Sequence, residues 1–216
     1  MNYITLQSAT QSQQIIPSKV ICVGRNYVDH INELNNELPT EMVVFCKPNS
    51  AITDVLCAEH GCESLHYEAE LSFLYQSGQF TAVALGLDLT KRSLQTQLKN
   101  KGLPWERAKA FDGSAIFSEF VAIEQNTINQ LQLLLTINGD HKQQGGVSLM
   151  MIKPLQILKE LQTFISLEDG DIVMTGTPKG VGKINRNDKF VGQVYLNTSS
   201  VLTAKQPFIE ASWQAN

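Results

Sequence analysis

The chain has 216 residues, a formal net charge of -4, 43% hydrophobic and 18% charged residues, a profile that fits one large globular domain with a sizeable core. No basic run offers a footprint for nucleic acid, no apolar stretch nears the ~20 residues of a membrane span, and Met1-Asn2-Tyr3-Ile4-Thr5 lacks a signal-peptide pattern. The expectation is a cytoplasmic protein that acts on small molecules.

Residues 1–17 are polar apart from Ile15-Ile16 and read as a short lead-in or an edge strand, with a single catalytic domain over 18–216. Lys19-Val20-Ile21-Cys22-Val23 has the β-branched content of a buried strand. It runs into Gly24-Arg25-Asn26-Tyr27, a polar turn of the kind that carries sites, with Arg25 a candidate substrate ligand. From Asp29 the spacing of His30, Glu33, Leu34 and Glu37 predicts a helix ended by Pro39. His30 and Glu33 fall on one face of it, where a carboxylate can orient an imidazole for work as a base, although a chance surface pair has the same spacing. Met42-Val43-Val44-Phe45-Cys46 reads as the next buried strand, closed by Lys47-Pro48, with Cys22 and Cys46 as small core residues.

Cys57, His60, Cys62 and His66 offer four zinc donors, but their spacing differs from the usual paired knuckles, and a surface loop is the plainer reading. The stretch after it carries more chemistry. Residues two apart on a strand share a face, so Glu68, Glu70 and Ser72 line one side while Ala69, Leu71, Phe73 and Tyr75 pack on the other. Carboxylates set side by side repel unless a cation neutralises them. Oxygen donors with no thiolate nearby suit Mg²⁺ or Mn²⁺, with Ca²⁺ also admissible. Gln76-Ser77-Gly78-Gln79 is a hairpin turn by composition, so the strand Phe80 to Leu87 returns Asp88 towards Glu68 as a third ligand. The alternative for Asp88 is a cap on the helix that follows.

Leu89 to Lys101 reads as that helix. Arg92 stands in its first turn, where the helix dipole disfavours a cation, which hints at a bound anion. Gly102 to Ser114 is loop-rich and carries Lys109. Phe117 to Ala122 and Leu131 to Asn138 read as strands, with a hairpin turn at Asn138-Gly139-Asp140 that leaves His141 in solvent. A helix begins at Pro154, and a strand over Asp171 to Met174 runs into Thr175-Gly176-Thr177-Pro178-Lys179-Gly180-Val181-Gly182. That last stretch is not a P-loop, but its glycines let backbone approach a ligand and its threonines can bind a carboxylate. Phe190 to Leu196 and Val201 to Ala204 are expected to close the sheet.

Six motifs stand in an order that resembles the fumarylacetoacetate hydrolase family, in particular its short acylpyruvate and fumarylpyruvate hydrolase-like members. They are Gly24-Arg25-Asn26-Tyr27 with His30 and Glu33, His66-Tyr67-Glu68-Ala69-Glu70, Leu87-Asp88-Leu89-Thr90, Gly102-Leu103-Pro104-Trp105, Lys109-Ala110-Phe111-Asp112, and Thr175 to Gly182. The resemblance implies an α+β, β-rich fold, a mixed β-sandwich roll of the family's C-terminal domain type, usually a homodimer. It implies a divalent metal on Glu68, Glu70 and Asp88, a water-activating pair at His30 and Glu33 with Lys109 beside them, and substrate binding by Arg92, Gln95, Lys109 and Thr177. Three departures are visible. The Glu70 to Asp88 connection is short, Ser93 stands where an Asp commonly follows the Arg, and Ala115-Ile116 replaces a Cys-Pro or similar pair. The expected activity is metal-dependent hydrolysis of a carbon-carbon bond in a small 2,4-dioxo acid. Oxaloacetate decarboxylation, or tautomerisation, isomerisation or hydration of an oxo acid, is the alternative on the same metal, and a non-catalytic oxo-acid- or zinc-binding protein is the alternative of another class.

Overall fold

Two sheets share one apolar core in this computed structural model, which describes residues 1–8, 11–34, 36–196 and 206–216. The larger is mixed and curled, and runs in the order Ser12–Ile15, Ile4–Gln7, Phe120–Ala122, Gln79–Asp88, Ala69–Gln76, Ile172–Met174, Lys19–Gly24, Val43–Pro48. The smaller is antiparallel, with Asp140–Gly146, Leu131–Ile137, Lys189–Leu196 and Ile209–Gln214 in that order. Leu71, Phe73, Val83 and Leu85 of the first sheet belong to the same buried cluster as Leu133, Leu135, Phe190 and Val194 of the second. The opposite face of the large sheet is buried too, under a second cluster that includes Val20, Cys22, Leu74, Ala82, Ala84 and Met174. Burial on both faces explains why Val83 to Leu87 is continuously apolar rather than alternating.

The hairpin at Ser77-Gly78 forms as expected, with both residues at positive φ (51° and 85°), the conformation that a tight two-residue turn requires. Its register pairs Gly86 with Glu70 and Leu87 with Ala69, so the end of the returning strand reaches the start of the outgoing one. The strands Ile4–Gln7 and Ser12–Ile15 pair at one edge of the large sheet, with Ile4–Gln7 parallel to Phe120–Ala122.

Several expectations change. The helix at His30 is only Val28–Glu33 and stops short of Glu37, its last turn closed by backbone bonds from Leu34 N–H to His30 O and from Asn36 N–H to Ile31 O. The expected strand Phe117 to Ala122 is two, Ala115–Phe117 and Phe120–Ala122, split where Ser118 Oγ accepts the Leu85 N–H. The helix expected from Leu89 is Arg92–Asn100, because Thr90 is held extended by exchange of backbone bonds with His66. A short helix, Glu106–Lys109, forms inside the expected loop. Val43–Pro48 is an edge strand in which Cys46 is exposed and Lys47 is fully buried, the reverse of the core assignment. The strand expected at Val201 to Ala204 lies outside the described residues. Among the described residues no helix is long and apolar enough to cross a membrane.

At the entry to Ile172–Met174, the buried Asp171 carboxylate ties the Lys19 strand to its parallel neighbour. It accepts from Ser18 Oγ (2.7 Å), Lys19 N (3.2 Å) and Glu168 N (2.8 Å), and pairs with Lys19 Nζ (2.6 Å). Burial raises its pKa, but the bonds from Glu168, Lys19 and Ser18 outweigh that and hold it below the ordinary aspartate value. A depressed folded pKa contributes stability above the unfolded value that is lost as pH falls through the folded one. Asp171→Asn should therefore lower the unfolding free energy by about 2 kcal/mol near neutral pH, and the gap to wild type should close below about pH 4. Urea melts across that range check this. A gap of constant size would show that the charge is not what matters.

Candidate metal centre

Glu68 lies between the strands His66–Tyr67 and Ala69–Gln76, Glu70 is the second residue of the latter, and Asp88 ends the returning strand, where its N–H donates to Glu68 O at 2.9 Å. Chain register thus places the three carboxylates together. One oxygen from each lies within 4.8 Å of the others, and all three residues are buried. Ligands on a shared Mg²⁺ at ~2.1 Å stand up to about 4 Å apart, so small side-chain adjustments bring these oxygens onto one ion. The donor set is all oxygen, which fits a hard divalent cation. Lys47 Nζ stands 2.9 Å from Asp88 Oδ1 as an ion pair but outside hydrogen-bonding geometry, so that oxygen has no hydrogen-bond donor. A buried oxygen with unspent lone pairs is the kind of donor a metal takes.

Cations already crowd the cluster. Lys109 Nζ donates to Glu68 Oε2 (2.8 Å), Asp88 Oδ2 (2.7 Å) and Thr90 Oγ1 (2.7 Å). Burial lowers the Lys109 pKa, yet Asp88 and Glu68 outweigh this and raise it, so the side chain is an ammonium. Arg92 pairs with Glu68, which identifies the anion its place in the helix's first turn implied as one of the chain's own carboxylates. Burial pushes the Glu68 carboxyl up, but Lys109 and Arg92 bring it well below the ordinary range. Glu70 differs. Its partner is the Gly176 N–H at 2.7 Å, and burial with the charges of Asp88 and Glu68 raises its pKa well above the usual value. Gly176 adopts φ +93°, and a Cβ there would meet Asn26 Cβ at 2.9 Å and Val23 O at 3.0 Å, so the close approach to Glu70 requires glycine.

His30 and Glu33 do meet. His30 Nδ1 stands 3.2 Å from Glu33 Oε2, and Glu33 in turn accepts the Gly180 N–H at 3.0 Å. Burial lowers the His30 pKa against the opposing influence of Glu68 and Glu33, which favours a neutral imidazole. His30, Arg25, Arg92, Gln95 and Lys109 border one cavity with the three carboxylates, a space of about 30 Å³. Gln95 accepts from Arg92 Nη1 (2.7 Å), which leaves its amide N–H groups as donors. Thr177 also borders the cavity, but its hydroxyl is engaged, donating to Ala69 O (2.9 Å) and accepting from Gln143 Nε2 (2.7 Å). The hydroxyl satisfies a buried strand carbonyl rather than standing ready for a ligand.

The zinc alternative does not assemble. Glu59–His60 pairs with Glu63–Ser64 in a ribbon that carries Cys62 into solvent, and His60 packs against Phe111 with the rings tilted and their centroids 4.7 Å apart. Among the described residues the carboxylate cluster is the one group with metal-ligand spacing.

Sequence reasoning missed Lys47, Lys99, Trp105 and Gln143. For Lys47 the signal was alternation, which puts it on the same side of its strand as Val43 and Phe45. For Lys99 it was the helical spacing Arg92, Gln95, Lys99, one face of Arg92–Asn100. Trp105 stood inside a quoted motif without a role, and nothing around Gln143 marked it.

The family described as Fumarylacetoacetate (FAA) hydrolase C-terminal matches residues 19–78 and 80–210. The chain belongs to this family. Its fold is that of the family's C-terminal domain, as expected. Among solved structures, fumarylpyruvate hydrolase from Pseudomonas aeruginosa in complex with Mn²⁺ and pyruvate superposes with a TM-score of 0.85 at 27% identity, covering 100% of this chain and 96% of that one. Among curated family members, the mitochondrial oxaloacetate tautomerase FAHD1 of Mus musculus is 39% identical over 79% of this chain and 84% of its own length. Oxaloacetate tautomerase YcgM of Escherichia coli is 37% identical over 80% of this chain and 86% of its own length. These relatives overturn the expected carbon-carbon bond hydrolase, because a tautomerase moves a proton and breaks no carbon-carbon bond. The water-activating role assigned to His30 and Glu33 falls with it.

Lys47 tests how tightly the family fold is tied to these carboxylates. Its ammonium donates to the carbonyls of Lys109 and Ser114 and to Ser114 Oγ (3.1 Å) while facing Asp88. Removing one partner of a buried ion pair costs about 3–5 kcal/mol. Lys47→Met in chelator-treated protein should lose that much by urea denaturation, and a loss under about 1 kcal/mol would assign Lys47 to packing alone.

Proposed function

We propose that this chain is a divalent-metal-dependent tautomerase of oxaloacetate, interconverting its keto and enol forms. The carrying observation is a carboxylate-oriented imidazole and a buried ammonium on the rim of one carboxylate cluster, in a chain whose curated relatives include oxaloacetate tautomerases. Glu68, Glu70 and Asp88 would hold Mg²⁺ or Mn²⁺, which when bound draws electrons from a chelated 2-oxo acid and so acidifies its C3 protons.

The chain's own groups handle the proton. Tautomerisation moves one proton from C3 to the 2-oxo oxygen and consumes no water. His30, with Nδ1 turned to Glu33, offers Nε2 as the base that takes the C3 proton and delivers it to the 2-oxo oxygen, and in the reverse direction takes it from the enol hydroxyl and delivers it to C3. Lys109, whose three N–H groups are held by Glu68, Asp88 and Thr90, places positive charge beside the oxygen as negative charge gathers there, and Arg92 with the Gln95 amide orients the neighbouring carboxylate. Burial that keeps His30 neutral also keeps it a competent base at neutral pH.

The test is decay of enol-oxaloacetate absorbance with added Mg²⁺ or Mn²⁺. His30→Ala should lower kcat by ~10²–10⁴-fold at saturating substrate, and Glu33→Gln should follow more weakly. The acid limb of the wild-type kcat profile should lie below the ordinary histidine value of about 6.5, since activity is lost only as the imidazole gains its proton. Unchanged kcat in His30→Ala would remove the base assignment, and no metal-stimulated decay in wild type would remove the proposed reaction.

A further inference from the structure

The proton chemistry above uses Lys109, Arg92, Gln95 and His30, and leaves two cations on the same cavity without a task. Lys99 follows Gln95 by four residues and lies on the cavity side of its helix. Its Nζ stands 4.8 Å from the centroid of the Trp105 ring, and Arg25 Cζ stands 5.9 Å from the same ring. Among the described residues neither cation has a carboxylate within ion-pair distance, whereas Lys47, Arg92 and Lys109 all do. Among the described residues Arg25 Nε and Arg92 Nε are buried without acceptors, and the Arg25 guanidinium makes a long bond, 3.4 Å, to Asn36. Burial, with the nearby guanidiniums of Arg25 and Arg92, pulls the Lys99 pKa down to about 8.

Such crowding costs free energy unless an anion relieves it. Arg25 is also held at φ +55°, a left-handed conformation that a non-glycine residue keeps only when its surroundings over-determine it. The adjoining Asn26 does so, bonding Ile152 N and O and Thr175 O at 2.7–2.9 Å. The backbone from which the Arg25 side chain departs is thus held, and its guanidinium and the Lys99 ammonium both stand within cation–π range of the one Trp105 ring.

We propose that Lys99 and Arg25, gathered around Trp105, form a subsite for the second carboxylate of the substrate, so that the site selects dicarboxylic over monocarboxylic oxo acids. This rests on the oxo-acid reading of the metal centre. The first carboxylate and 2-oxo group face Glu68, Glu70 and Asp88, where Lys109 and Arg92 already have carboxylate partners. The distal carboxylate needs cations without partners, and Lys99 and Arg25 supply them.

The test is calorimetric binding, with Mg²⁺ present, of malate and lactate, non-reacting 2-hydroxy acids that differ in the second carboxylate. Wild type should prefer malate. Lys99→Met should weaken malate by about 10- to 100-fold, the loss of one charge-assisted contact, and leave lactate within about threefold. Lys99→Arg should keep most of the malate affinity, and Lys99→Gln should repeat the Met result if Met disturbs folding. The KM for oxaloacetate should rise with the malate Kd while kcat holds. Equal weakening of both acids by Lys99→Met, or of neither, would overturn the subsite. If wild type turns over no oxaloacetate but its preference for malate depends on Lys99, the subsite stands and the reaction assignment falls. If turnover is present and the preference is independent of Lys99, the reverse holds.

Discussion

Three carboxylates buried at one end of a β-hairpin set the terms for everything around them. Burying even one ionised carboxylate costs several kcal/mol unless it is paired, and the fold answers with Lys47 from an edge strand, Lys109 from a short helix, and Arg92 from the first turn of a longer one. These come from different elements, and Lys47 also holds the backbone carbonyls of Lys109 and Ser114, so placing one cation helps to place another. The pairing is uneven. Glu68 and Asp88 each have ammonium partners, while Glu70 has the Gly176 N–H. The missing positive charge lies on the Glu70 side of the cluster.

The glycine-rich segment after Ile172–Met174 reaches both sides of the site. Gly176 donates to Glu70 and Gly180 to Glu33, so one stretch of backbone positions a metal-ligand candidate and the carboxylate that meets the His30 imidazole. It is anchored by Thr177 to Ala69 O and by Asn26 to Thr175 O. This explains why its threonine hydroxyl is spent on structure. The segment's contribution to the chemistry is made through backbone N–H groups, and those demand the conformations that glycine adopts at positions 176 and 180.

Much of this was legible in the chain. Period-two spacing put Glu68 and Glu70 together, Ser77-Gly78 announced the hairpin that returns Asp88, and three-residue spacing put His30 beside Glu33. Lys47 was hidden because a lysine before proline reads as a strand end, and only tertiary pairing makes its burial tolerable. The helix at His30 is shorter than its pattern, since periodicity reports which face is apolar and not where the helix ends. The Thr177 hydroxyl looked free because its carbonyl partner lies 108 positions away in sequence. The reaction was the least legible part. Hydrolysis and tautomerisation both need an oriented base beside an electron-withdrawing metal, so these residues fit either, and it was the curated tautomerases that excluded the hydrolase.

The account stands on Glu68, Glu70 and Asp88 binding one divalent cation. Titration with Mn²⁺, followed by the paramagnetic resonance signal of the free ion, measures this directly. Wild-type protein should bind one Mn²⁺ per chain, and Glu70→Gln, checked to be folded by circular dichroism, should lose that binding while keeping every neighbouring ion pair. Binding in Glu70→Gln equal to wild type, or none in either protein, would contradict it.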